Sequence, residues 1–270
     1  MPGAGSDALP LPRAADFPPR PDTQEQRVRE TVLAKLATDP DGCLARYQER
    51  FGNRLNADNA ATLFEEYNHD PARYRVAVHP AAVWIRDELF RRALTLTAAR
   101  GLNHIAFTAG ANAAGKTTAI SFTATAAKSL AVLDSTFSNP AHARRLIQQA
   151  LDARKPITIL YVFRPLLEAL DGMLERSETE GRLVTVGQLI NSAQGSAATL
   201  RGLWEQHHGD PRFEFLFVRN TGGSSSLDTV ALTAPEDYTE IRKALNAELD
   251  ARYQAGRIGE AAYRRVRDPG

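Results

Sequence analysis

The sequence predicts an α/β fold in which a parallel sheet is flanked by helices and preceded by an N-terminal helical extension. Three observations predict it. Short apolar runs of strand length at 103–108, 130–133, 157–163 and 213–218 alternate with stretches of helical periodicity, the pattern of a parallel sheet wrapped by its crossover helices. The first of these runs ends in a glycine-rich turn that opens a helix. Ahead of that run only helical periodicity is found.

In chain order, residues 1–24 carry Pro2, Pro10, Pro12, Pro18, Pro19 and Pro21 with few large apolar side chains, which predicts a disordered tail. A single domain is expected over 25–267. Between 24 and 50, Val28, Val32, Leu33, Leu36, Leu44 and Tyr47 recur at helical spacing, and Asp39-Pro40-Asp41-Gly42 breaks them into a helical hairpin. A further helix is read over 59–67, and a longer one from about Pro80 through Trp84, Ile85, Leu89, Phe90 and Leu94. Past the first strand, helices are expected at 140–153, 166–178, 186–206 and 237–253. No internal repeat is present.

Lysine and arginine total 33 against 32 aspartate and glutamate, so no global field draws the chain to nucleic acid or to an anionic membrane. A nucleic-acid-dependent ATPase is disfavoured on the same ground. The only cysteine, Cys43, leaves no internal disulfide framework and fits a reducing cytoplasm. No long uncharged apolar run and no basic-then-apolar leader are found, so a soluble, cytoplasmic protein is expected. His207 and His208 lack further ligand-spaced partners, which argues against zinc.

Gly110, Gly115, Lys116 and Thr117 match G-x-x-x-x-G-K-[ST] directly after a predicted strand and at a helix start, the context in which that pattern forms a phosphate-cradling P-loop. Glycines let successive backbone N–H groups converge on phosphates, to which the helix N-terminus adds partial positive charge. Gly110, Ala111, Asn112, Ala113, Ala114, Gly115, Lys116, Thr117 and Thr118 are therefore the expected nucleotide-binding residues of a P-loop NTPase fold, with ATP or GTP and Mg²⁺ as cofactors. Lys116 would reach the β- and γ-phosphates and Thr117 would ligate Mg²⁺. The plain alternative is an ordinary strand-to-helix turn. Asp134 ends the next strand at the carboxyl edge of the sheet and is the candidate acid for the Mg²⁺ shell, or else an N-cap of the helix at Pro140. Arg176 and Arg182 flank a helix end and read either as a cationic lid for the transferring phosphoryl or as helix-end and solvated arginines. The loop 220–224 reads as a border of the nucleotide base or as a surface loop.

The P-loop, the Asp134-Ser135-Thr136-Phe137 stretch and the 175–182 stretch with its paired arginines together resemble the zeta-toxin family of P-loop kinases. The resemblance spans roughly 55–182. It implies a kinase that phosphorylates a hydroxyl of UDP-N-acetylglucosamine with an Asp as base, and a toxin restrained by an antitoxin. The family usually places that Asp on the second strand after the P-loop, whereas only a short helix separates Thr117 from Asp134. The segment from Arg54 to Asp58, with Tyr67, Arg73, Tyr74 and His79 after it, looks like the missing substrate region moved ahead of the P-loop. Asp58 is then the candidate general base, with an N-cap role for Asp58 or Asn56 as the alternative. The rival functional reading is a nucleotide-binding regulatory module without metabolite kinase activity.

Overall fold

The computed structural model describes residues 8–97, 102–179, 184–221, 224–227 and 237–267. The chain divides into two compact units, Met1–Leu96 and Thr97–Gly270, where the sequence predicted one domain after a tail. The physical reason is that the N-terminal helices bury a core of their own. Val32, Leu36, Tyr47, Val78 and Ile85 are all fully buried, and each such side chain contributes about 1.5–3 kcal/mol on leaving water.

In the first unit α1 (Thr23–Thr38) begins where the Asp22 carboxylate accepts from the Gln24 and Glu25 N–H groups. At Asp39 the chain caps α2 (Pro40–Phe51), with proline at the first helical position where no N–H is needed. The helix expected over 59–67 is two short ones, α3 (Ala57–Ala61) and α4 (Glu65–His69), separated by Phe64 in extended conformation. The last helix, α5 (Pro71–Thr95), starts at the Asp70 cap and runs through Pro80 rather than beginning there. Proline at 80 deprives the carbonyl of Val76 of its helical donor, and Val76 is 50% exposed, so water can serve that carbonyl instead.

Part of the segment expected to be a disordered tail is ordered. Residues 14–16 form a 3₁₀ turn. The Leu9 N–H donates to Glu88 at 3.1 Å, Trp84 Nε1 donates to the Leu9 carbonyl at 3.2 Å, and Arg29 Nη1 donates to the Pro18 carbonyl at 2.7 Å. Its prolines lower the entropy lost on ordering, an effect that composition alone conceals. The anchor, Glu88, is fully buried and also accepts from Arg91 and Arg92. Burial pushes its carboxyl up, but the hydrogen bonds from Arg91, Arg92 and the Leu9 amide prevail and bring it down to about 2.

The second unit comprises β1 (His104–Ala109), α6 (Lys116–Phe122), α7 (Thr125–Lys128), β2 (Ser129–Leu133), α8 (Pro140–Asp152) and β3 (Ile157–Phe163). They are followed by α9 (Leu166–Thr179), α10 (Val186–His207), β4 (Phe213–Thr221), β5 (Ser224–Leu227), α11 (Tyr238–Gln254) and α12 (Glu260–Val266). The strands lie in the order β2-β1-β3-β4-β5. The first four are parallel, with Phe107 of β1 opposite Leu133 and Ile159, and β5 pairs antiparallel with β4. This is the predicted α/β architecture of a sheet flanked by helices, consistent with a P-loop NTPase-like fold. Residues 105–109 of β1 are buried without interruption, as expected of a strand covered on both faces. Leu170, Met173, Leu189 and Ile190 of α9 and α10 pack into the same core as Ala106, Leu160 and Val162. Of the expected loop at 220–224, Asn220 and Thr221 close β4 and Ser224 opens β5, while 222–223 lie outside the described residues. Both histidines proposed as non-ligands have aromatic partners, His207 on Phe213 and His208 on Trp204. Among the described residues no helix is long and apolar enough to cross a membrane.

Candidate functional site in the second unit

β1 ends at Ala109, and the chain turns through 110–115 into α6. Gly110 has φ +136°, and a Cβ there would overlap the Val162 carbonyl oxygen of β3, so both conformation and space demand glycine. Gly115 has φ +87°, and a Cβ there would overlap the side-chain amide of Asn220. Between them Ala113 takes a left-handed conformation at φ 57°, rare for a residue with a side chain. The Lys116 ammonium folds over the first limb of the turn, donating to the carbonyls of Gly110 at 3.2 Å and Ala111 at 2.8 Å. Thr117 and Thr118 follow, both exposed.

Asp134 stands just past the end of β2, the strand beside β1, and is 9% exposed. Thr108 of β1 donates its hydroxyl to Asp134 Oδ1 at 3.1 Å and accepts from the Ser135 N–H at 2.9 Å. The same loop accepts the Gly110 N–H on the Thr136 carbonyl at 3.2 Å, tying the acidic segment to the glycine turn. Phe137 is held at φ 55° while buried against Phe107, so local strain is balanced by packing beside the turn. Asp134 does not cap α8. Asn139 does so, accepting from the His142 N–H at 3.1 Å with Pro140 following. The capping alternative for Asp134 is thereby removed, and its position at the carboxyl edge of the sheet stands.

Three further side chains grip the turn. Ser192 of α10 accepts the Asn112 N–H at 3.0 Å, Asn220 at the end of β4 donates to the Ala114 carbonyl at 2.9 Å, and Arg164 beyond β3 donates to the Ala113 carbonyl at 3.3 Å. None of these grips was anticipated. α10 comes close enough that a Cβ on Gly195 would overlap the Ser138 carbonyl, so a glycine in mid-helix permits the approach. The turn, an ammonium, a neighbouring carboxylate and the hydroxyl of Thr117, an exposed residue, make up a donor set suited to phosphate and a divalent cation.

Asp58 belongs to the first unit, at the second position of α3. Its N-cap alternative is also removed, because Asn56 caps that helix through the Asp58 N–H at 2.7 Å and the Asn59 N–H at 3.3 Å. Tyr47 fixes the cap by accepting the Asn56 N–H at 2.8 Å, and the Asp58 carboxylate faces Arg75 at 4.0 Å. Of the other residues in the proposed substrate segment, Tyr67 and Tyr74 are core residues, Arg73 pairs with Asp22, and His79 is exposed on α5. Arg176 lies on α9, its side chain, like the whole of Arg182, lying outside the described residues. No protein-family model matches the chain, and no curated protein matches it.

Proposed function

We propose that the chain is an ATP- or GTP-dependent kinase that transfers a phosphoryl group to a hydroxyl of a nucleotide sugar, UDP-N-acetylglucosamine being the acceptor that the zeta-toxin resemblance implies. The observation that carries the kinase reading is the glycine-permitted turn at 110–115 with Lys116 folded onto it and Asp134 one strand away. Gly110 and Gly115 occupy conformations that let loop N–H groups approach phosphate, and Lys116 would exchange loop carbonyls for β- and γ-oxygens. Thr117 and Asp134 would hold Mg²⁺, which when bound neutralises charge on the phosphates. Asp58 is assigned the general base on the resemblance, taking the acceptor's hydroxyl proton, and Arg176 and Arg182 are assigned to stabilise the transferring group. A cytoplasmic setting and a small antitoxin partner belong to the same reading.

One observation favours a second reading. Asp134 is nearly buried and its Oδ1 is bonded to Thr108, which leaves an acceptor's hydroxyl little access to it, so a nucleotide-binding regulatory module follows if Asp58 is not the base. Incubating the protein with MgATP or MgGTP and a panel of nucleotide sugars tests the proposal. A mass gain of one phosphoryl group on an acceptor supports the kinase, whereas bound nucleotide with every acceptor unchanged favours the module.

A further inference from the structure

We propose that Arg164 is an additional phosphate-binding residue of the cradle, supplying a cation for the terminal phosphoryl of the nucleotide. This rests on the nucleotide reading above and adds to it a residue that neither the motif nor the resemblance marks. Arg164 directly follows Phe163, the last residue of β3, on the strand next to β1 and at the edge of the sheet where ligands of open α/β folds bind. It is partly buried, and its one hydrogen bond among the described residues runs from Nη1 to the Ala113 carbonyl at a long 3.3 Å. Its Nε is buried without an acceptor, and no carboxylate among the described residues forms an ion pair with it. Its Nε–H is thus withdrawn from water with no partner, a cost that an anion completing the site would offset.

Its position relative to the turn indicates which anion. Lys116 covers the first limb, at Gly110 and Ala111, whereas Arg164 holds the middle of the turn at Ala113, so two cations bracket it. Gly172 of α9 lies alongside, where even a Cβ would come 3.6 Å from Nη1 and 3.8 Å from the Ala113 side chain. No side chain of Gly172 therefore stands between the guanidinium and the turn. The planar fork matches two oxygens of one phosphoryl group, a geometry that an ammonium lacks. The neighbouring Arg219 is engaged differently, lying over the Phe163 ring at 5.1 Å.

The test titrates the full-length protein with Mg²⁺-ADP and with a Mg²⁺-bound non-hydrolysable ATP analogue, comparing wild type, Arg164→Gln and Arg164→Lys, with melting curves to confirm folding. Arg164→Gln should lose about 10- to 100-fold in affinity for the triphosphate, the range for a lost charge-assisted hydrogen bond, with ADP affinity unchanged. Arg164→Lys should show a smaller loss, again confined to the triphosphate, and this variant carries the test if Arg164→Gln fails to fold. Equal losses for both nucleotides would make Arg164 a clamp on the Ala113 carbonyl and overturn the inference, as would no loss in either variant. If wild type binds and Lys116→Ala does not, such a result sinks Arg164 alone. If wild type binds neither nucleotide, the nucleotide reading fails and this inference fails with it.

Discussion

Asn220 and Gly115 offer a quantitative test of how the turn is built, because the amide of one occupies the space where a side chain of the other would sit. Asn220→Ala removes a 2.9 Å hydrogen bond to the Ala114 carbonyl, worth about 1 kcal/mol net. Gly115→Ala forces a side chain into φ +87°, which costs about 1–2 kcal/mol in conformation. It also evicts the Asn220 amide, forfeiting the same bond at about 1 kcal/mol. In the double variant the eviction has already been made, so the sum of the two singles exceeds the double by about 1 kcal/mol. Urea unfolding in a Trp84→Phe background leaves Trp204, of the two tryptophans, as the fluorescent reporter of the second unit. Additivity within about 0.3 kcal/mol would refute the account, since sites that share no partner add to that precision.

Three other expectations follow from named contacts. Glu88 has a folded pKa of about 2, below the ordinary carboxylate value, so its contribution is present above that ordinary value and is lost as pH falls through about 2. Acid titration of the first unit should thus remove on the order of 3 kcal/mol between roughly pH 4.5 and 2, and an unchanged acid slope in Glu88→Gln would count against the cluster. Asp58→Asn should reduce phosphoryl transfer by about 10²- to 10⁴-fold while nucleotide affinity, carried by the second unit, stays at the wild-type value; undiminished turnover removes Asp58 as base. Arg176→Ala and Arg182→Ala should lower kcat more than they weaken ADP binding, and equal effects on both would make them ground-state clamps.

The four parallel strands were legible because each carries an apolar run, and β3 at Ile157–Phe163 begins and ends where the sequence placed it, whereas the serine-rich β5 was not seen. The helix start at Pro140 was legible from its proline, whereas Pro80, read as a start, lies inside a helix that begins at Pro71, and only geometry separated Asn139 from Asp134 as the cap of α8. Asp134 was found by asking which residue stands at the carboxyl edge of a strand. The same question put to β3 and β4 points to Arg164 and Asn220, but their relation to the turn needs the strand order, which no local pattern encodes. Thr108 carried a signal of its own, a hydroxyl inside a buried run, where a polar group must find a partner. Ser192 reaches Asn112 across 80 residues of chain and left no local trace. The order of the proline-rich N-terminus from residue 8 onward was missed for a related reason, since its anchors, Trp84 and Glu88, lie far along the sequence.

The claim on which the rest depends is that the turn at 110–117 holds a nucleoside triphosphate through Lys116. Calorimetric titration of MgATP and MgGTP into the wild-type protein and into Lys116→Ala, with melting curves for both, tests it most directly. The account predicts saturable binding of at least one nucleotide at one site per chain in the wild type, and its loss in a variant that melts as the wild type does. Binding of equal strength in the Lys116→Ala protein, or no binding of either nucleotide to the wild type, would contradict it.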